Sequence, residues 1–125
     1  MTCCFTGHRS IPPCSIAQLQ KSLDKTLCNL IAQGATKFIC GGALGFDTLA
    51  AQAVIRQKQD NDNIILTLTL PCRDQAKRWS EMQKMVYNDI LTSADEVIYL
   101  FDHYVTGCMH ARDKFMVDSS DIIIA

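Results

Sequence analysis

The sequence has no Cys-x-x-Cys pair, no apolar run approaching a membrane span, and no excess of charge of either sign. Each absence removes a class of protein. The seven cysteines (Cys3, Cys4, Cys14, Cys28, Cys40, Cys72, Cys108) are odd in number, and several sit inside apolar runs, where a free thiol behaves as a small hydrophobe. That pattern argues against a disulfide framework and a structural zinc site. Cys3 and Cys4 are neighbours, so on a strand they point to opposite faces and cannot chelate one ion. Twelve basic residues stand against thirteen acidic ones, a net charge of −1. This leaves no electrostatic footprint for nucleic acid or an anionic membrane, so neither is an expected partner. No segment has the length and apolarity of a bilayer span, and the first residues lack a secretion-signal pattern, so a cytoplasmic protein is the simplest expectation. No Ser-His-Asp order or nucleophile elbow appears, and no carboxylate pattern surrounds His103 and His110. Neither a metal nor a cofactor is expected.

What remains is an ordinary globular composition. With 125 residues, 48% of them hydrophobic, residues 1–125 read as one domain around one core. Residues 2–6 read as a buried strand, followed by the loop Gly7-His8-Arg9-Ser10 and Pro12-Pro13. Ser15 is placed to cap a helix whose Ile16, Leu19, Leu23, Leu27 and Leu30 recur at helical spacing, and Gly34 ends it. Lys37 to Cys40 forms a second strand, and a second helix runs from Leu44 to about Gln59, with Phe46, Leu49, Ala50, Ala53 and Val54 as its apolar stripe. A third strand, Ile64 to Leu70, is stopped by Pro71. A third helix is expected from Arg73 to Leu91, with Trp79, Met82, Val86 and Ile90 on its inner side. A fourth strand (Glu96 to Phe101), a fourth helix (Met109 to Val117) and the start of a fifth strand at Asp121 follow.

Strands alternating with helices over short connections imply right-handed crossovers and a parallel sheet. The strands read as continuous apolar runs, which suits a sheet covered on both faces. The fold class is therefore α/β, a Rossmann-like doubly wound parallel sheet in a three-layer α/β/α sandwich. The sequence stops just after the fifth strand opens, so a C-terminal continuation is expected.

The most informative stretch is Phe38 to Ala51, where an apolar run ends in Gly41 and Gly42 and a third glycine, Gly45, precedes a helix. Glycines let a backbone pass close to a ligand, and a helix start offers unpaired N–H groups to an anion. A tight strand–helix turn is the alternative.

In a parallel sheet, ligands sit outside the C-terminal ends of the strands. Residues expected along that edge are Thr6, Gly7, His8 and Arg9 after the first strand, and Gly41, Gly42, Gly45, Asp47 and Thr48 after the second. Pro71, Cys72 and Arg73 follow the third strand, and Asp102, His103 and Tyr104 the fourth. Two arginines with a glycine turn suit a phosphorylated, nucleotide-sized ligand. Asp47 either complements its helix dipole or reaches a ribose. His8 reads as a hydrogen-bonding loop residue rather than a base, and Trp79 as core rather than a stacking platform. Arg112 is expected in the first turn of the fourth helix, where a cation is unfavourable; a ligand phosphate, or a salt bridge to Asp113 or Asp118, would reconcile the two.

Four motifs in order carry a resemblance. Cys4-Phe-Thr-Gly-His-Arg9, the Cys40-Gly-Gly-Ala-Leu-Gly-Phe-Asp47 turn, Pro71-Cys72-Arg73 with Gln75 and Trp79, and Cys108-Met-His-Ala-Arg112 through Asp118 resemble the YpsA-like family of the SLOG superfamily. The glycine turn also resembles that of the DNA-processing protein DprA, and Met109-His-Ala-Arg112 resembles the arginine-bearing stretch of LOG phosphoribohydrolases. The resemblance implies sensor-type binding of a nucleotide or nucleotide-derived small molecule, with Arg112 as the catalytic or phosphate-clamping arginine. A LOG-like hydrolase of nucleoside monophosphates and a DprA-like single-stranded-DNA binder are the alternatives it carries. A homodimer through a helical face is compatible with this fold.

Overall fold

A computed structural model describes residues 1–125. The elements are β1 (Thr2–Phe5), α1 (Ile16–Ala32), β2 (Lys37–Cys40), α2 (Phe46–Asp60), β3 (Ile65–Cys72), α3 (Glu81–Ser93), β4 (Glu96–Phe101), α4 (Cys108–Asp118) and β5 (Ile122–Ile124). The five strands form one sheet in the order β4-β3-β2-β1-β5, every neighbouring pair parallel. The fold is the Rossmann-like α/β/α sandwich expected of alternating strands and helices.

The strand order decides where the helices go. Three successive crossovers step one way across the sheet, and the last, from β4 to β5, steps back past β1. With right-handed crossovers, a reversal of direction puts the last helix on the opposite face. Side-chain packing agrees. Cys3, Phe5, Phe38, Cys40, Leu66, Leu68 and Leu70 form the larger core with residues of α1, α2 and α3. The alternate residues Cys4 and Ile39 pack against Met116 of α4 on the other face. Cys3 and Cys4 therefore do point to opposite faces, both as buried free thiols.

Local details depart from expectation in three places. Ser15 occupies the cap position of α1 but makes no side-chain cap; a short 3₁₀ turn, Pro13–Ser15, leads into the helix instead. β3 does not stop at Pro71 but continues through it to Cys72. A residue without an N–H is tolerated there because β2 ends at Cys40, opposite Leu68, leaving β3 only its β4 neighbour.

The largest difference concerns α3. It begins at Glu81, not near Arg73, because Ser80 and Gln83 close a capping box: Ser80 Oγ accepts the Gln83 N–H at 3.1 Å and Gln83 Oε1 accepts the Ser80 N–H at 2.9 Å. Residues 73–78 form successive turns instead, with Lys77 N–H bonded to Asp74 O and Trp79 N–H to Ala76 O, both at 3.1 Å. Trp79 thus precedes the helix, and Met82 is 75% exposed. The inner face of α3 is Val86, Tyr87, Ile90 and Leu91. This turned segment lies across the strand edge.

Candidate functional site

The order of strands reverses at β1, which lies between β2 and β5. Ligands of doubly wound sheets bind at such a reversal, outside the strands' C-terminal ends. A cavity of about 210 Å³ opens there, lined by Thr6, Gly7, Arg9, Ala43, Asp47, Met109, Arg112 and Asp113 above Phe5.

The first wall is the loop after β1. Thr6 continues the strand, its N–H donating to Ile124 O at 2.9 Å. The loop is then pinned to α2, because the Phe46 N–H donates to His8 O at 2.9 Å. Gly45 makes that closeness feasible. Its φ is +78°, and a Cβ there would stand 2.2 Å from Arg9 O, a contact no side chain can make. Arg9 projects from this loop with no ion-pair partner.

The second wall is the glycine turn with α2. Asp47, near the start of the helix, is buried and accepts the Ala43 N–H at 3.2 Å. Thr48 Oγ1 donates back to Ala43 O at 3.0 Å. Asp47 therefore fills the helix-complementing role and also lines the cavity. Burial pushes its carboxyl up to about 6, although Arg112, the Ala43 N–H and Arg9 pull in the other direction.

Arg112 closes the third side. It is the fifth residue of α4, so it lies in the second turn and not the first. The helix dipole is largely spent there; burial sets its behaviour. The residue is only 5% exposed. Nη1 donates to Gly41 O at 3.0 Å, and Nε donates to Asp113 Oδ1 at 2.9 Å. The salt bridge to Asp113 is present; Asp118 pairs instead with Lys114. A Cβ at Gly41 would lie 2.9 Å from Asp47 Oδ2 and 3.0 Å from Arg112 Cδ. The bare glycine is what lets the buried cation and the buried acid both pack against the end of β2.

Thr6, Gly7, Arg9, Asp47 and Arg112 are thus brought together, and Gly41, outside the cavity lining, holds Arg112 through its carbonyl. Other expected residues stand apart. Thr48 lines a neighbouring apolar cleft. Gly42 adopts φ +72° and offers its carbonyl to Gln75 Nε2 at 3.2 Å. His8 contributes its backbone, and its exposed side chain lines none of these cavities. Pro71 is buried within β3. Arg73 is exposed, stacked 4.3 Å over the Tyr99 ring and paired with Asp102 at 3.3 Å.

Residues outside the sequence-based set extend the site. Met109 and Trp79 each line three of the four cavities along this edge. Trp79 is held edge-on to Tyr87, ring centroids 5.1 Å apart. The Tyr87 hydroxyl in turn accepts from Gln75 Nε2 at 3.2 Å. The apolar cleft beside it, about 390 Å³, runs between the loop after β1, α2 and α3, with Ile11, Ile16, Leu44, Trp79, Met82 and Tyr87 among its walls. No three His, Cys, Asp or Glu side chains converge anywhere as metal ligands would.

The YpsA family, described as the YspA SLOG family, matches residues 4–125. The chain belongs to that family. All four motifs that carried the resemblance lie within the matched span. The chain is 31% identical over 108 residues to a UPF0398 protein of Halalkalibacterium halodurans, covering 85% of this chain and 57% of that protein. It is 37% identical over 101 residues to the uncharacterized SPbeta prophage-derived protein YoqJ of Bacillus subtilis, covering 71% of this chain and 59% of YoqJ. A UPF0398 protein of Brevibacillus brevis is 26% identical over 111 residues, again with 59% of its length covered. The chain therefore spans somewhat over half the length of these relatives. No helix is long and apolar enough to cross a membrane.

Proposed function

We propose that this domain binds a nucleotide or nucleotide-derived small molecule, with a phosphate in the cavity between Arg9 and Arg112 and the base against Trp79. The observation that carries this is the meeting of two arginines with Gly7, Thr6 and the glycine turn at the reversal of strand order. Arginines supply charge-assisted donors of the geometry a phosphate accepts. The phosphate cavity, about 210 Å³, is smaller than ligand sites usually are. A nucleotide would extend past Arg9 and Leu44 into the apolar cleft, where the Trp79 ring supplies an aromatic wall.

A thermal-shift screen against AMP, ADP, NAD, ADP-ribose and inorganic phosphate tests this, repeated on Arg112→Ala. Ligand at a hundred times Kd stabilises by ~2.7 kcal/mol. Trp79 is the only tryptophan, so its fluorescence reports the base separately. Nucleotides are expected to shift melting and change this emission, while inorganic phosphate shifts melting alone. A screen with no Arg112-dependent shift would sink the proposal.

One observation favours a second reading, hydrolysis of the N-glycosidic bond of a nucleoside monophosphate. The buried Asp47 carboxyl shares the phosphate cavity with Arg112. Charge develops on the ribose as the base departs, and a nearby carboxylate stabilises it. Water would supply the new C–O bond at the ribose carbon, and its proton would leave with the base. Release of free base from AMP, lost in Asp47→Asn, would establish the enzyme over the sensor.

A further inference from the structure

Building on the nucleotide reading of this same site, we infer that its ligand is a nucleoside phosphorylated at two separate ribose positions, the second phosphate being held by Lys77 and Arg78. Three cavities radiate from a neck of about 70 Å³ above the glycine turn, walled by Arg9, Ala43, Leu44, Gln75, Trp79 and Met109. Arg9 and Met109 continue from the neck into the phosphate cavity. Arg9, Leu44 and Trp79 continue into the apolar cleft. Gln75, Trp79 and Met109 continue into a third cavity of about 450 Å³, whose charged groups are Lys77, Arg78 and Asp74.

The charge in that third arm favours an anion. Neither Lys77 nor Arg78 makes an ion pair. Asp74 offsets one of these two charges and is already bonded: its Oδ1 accepts the Tyr104 N–H at 3.1 Å, and His103 Nδ1 lies 4.0 Å from Oδ2. A nucleoside also has three arms, the base and the two ends of its ribose. Seating the ribose at the neck sends the base to the apolar cleft, the 5′-phosphate to Arg9 and Arg112, and a 3′-phosphate toward Lys77 and Arg78. A phosphate chain on one oxygen would lengthen a single arm and leave the third cavity untouched.

Calorimetric titration of the full chain with adenosine and guanosine 5′-monophosphates, 5′-diphosphates and 3′,5′-bisphosphates tests the assignment. The proteins compared are wild type, Lys77→Ala with Arg78→Ala, and a control with the same change of charge on α1, Lys21→Ala with Lys25→Ala. A bisphosphate of at least one base is expected to bind about tenfold tighter than its monophosphate. That preference should vanish in the Lys77/Arg78 variant and persist in the control. Three results overturn the inference: bisphosphates no tighter than monophosphates, a preference that survives loss of Lys77 and Arg78, or a diphosphate that gains equally through those residues. Arg112-dependent monophosphate binding in any of these cases leaves the nucleotide reading standing. No binding of any nucleotide overturns both.

Discussion

The Arg112 guanidinium donates to the Gly41 carbonyl at 3.0 Å, tying α4 to the end of β2 across 71 positions of chain. The helices α2 and α4 lie on opposite faces of the sheet and both line the phosphate cavity, so this bond helps set its width. Nε is meanwhile committed to Asp113. One planar, multi-donor group therefore does two structural jobs while still lining the cavity.

Arg112→Lys should fail at this combination. An ammonium is a compact point charge without the fork that reaches both Gly41 O and Asp113. The buried carbonyl would lose its partner, which costs on the order of 1–3 kcal/mol. Urea denaturation should show that loss, and the AMP-induced melting shift should disappear with it. A lysine variant of wild-type stability that still binds AMP would refute this account of the site.

Gly45 and Gly34 make a controlled pair. Both have positive φ, +78° and +104°. A Cβ at Gly34 would meet nothing within 4 Å, so Gly34→Ala should cost about 1 kcal/mol, the backbone penalty alone. At Gly45 the same methyl would strike Arg9 O. Gly45→Ala should cost more than about 2 kcal/mol and free the loop after β1 from α2. Hydrogen exchange at the Phe46 amide, which His8 O now protects, reports the detachment directly.

Much of this was legible in the sequence because it is local. Apolar spacing located α1, α2 and the strands; the glycines announced the turn; and the alternation of elements implied the parallel sheet. What escaped was decided by tertiary contact or by a weaker local signal. The apolar spacing of Val86 and Ile90 extends backward through Met82 and Trp79, so periodicity alone drew α3 several residues too long. Ser80 and Gln83, a capping box in plain view, held the correction. Pro71 ends a strand by its own chemistry, yet β3 runs through it because β2 has already stopped. Arg9 and Arg73 look alike as arginines just beyond strands. Only the fold shows that one lines the cavity while the other lies on Tyr99. Met109 had no signal beyond its place in a motif.

The difference between the arginines is itself testable. Arg73 is largely exposed, pairs with an exposed Asp102 and stacks on Tyr99. Such contacts contribute at most about 1 kcal/mol each. Arg73→Ala should leave AMP binding unchanged and lower stability only slightly. Arg9→Ala should do the reverse, weakening AMP binding with little change in melting, since Arg9 makes no ion pair. Exchange of these two outcomes would mean that the ligand lies over β3 and β4.

Asp47 links the site to pH. Its carboxyl is raised from 3.8 to about 6 chiefly by burial, with Arg112 the largest opposing influence. Between those values the folded chain holds a proton that the unfolded chain releases, so folding is favoured in acid. Stability on the order of 2–3 kcal/mol is therefore present below about pH 4 and lost as pH rises through about 6. Asp74 and Asp95 are lowered and act in the opposite sense, so the comparison to make is with Asp47→Asn. The asparagine keeps an oxygen for the Ala43 N–H and cannot ionise. Urea midpoints from pH 4 to 8 should fall more steeply in wild type than in the variant, which should be the more stable protein at pH 8. The ligand follows the same logic. Ionised Asp47 opposes an anion beside Arg112, so sulfate, whose own charge is constant over this range, should bind wild type more tightly at pH 5 than at pH 8. Asp47→Asn should bind sulfate with little dependence on pH. Equal pH dependence in the two proteins would show that another group controls the cavity.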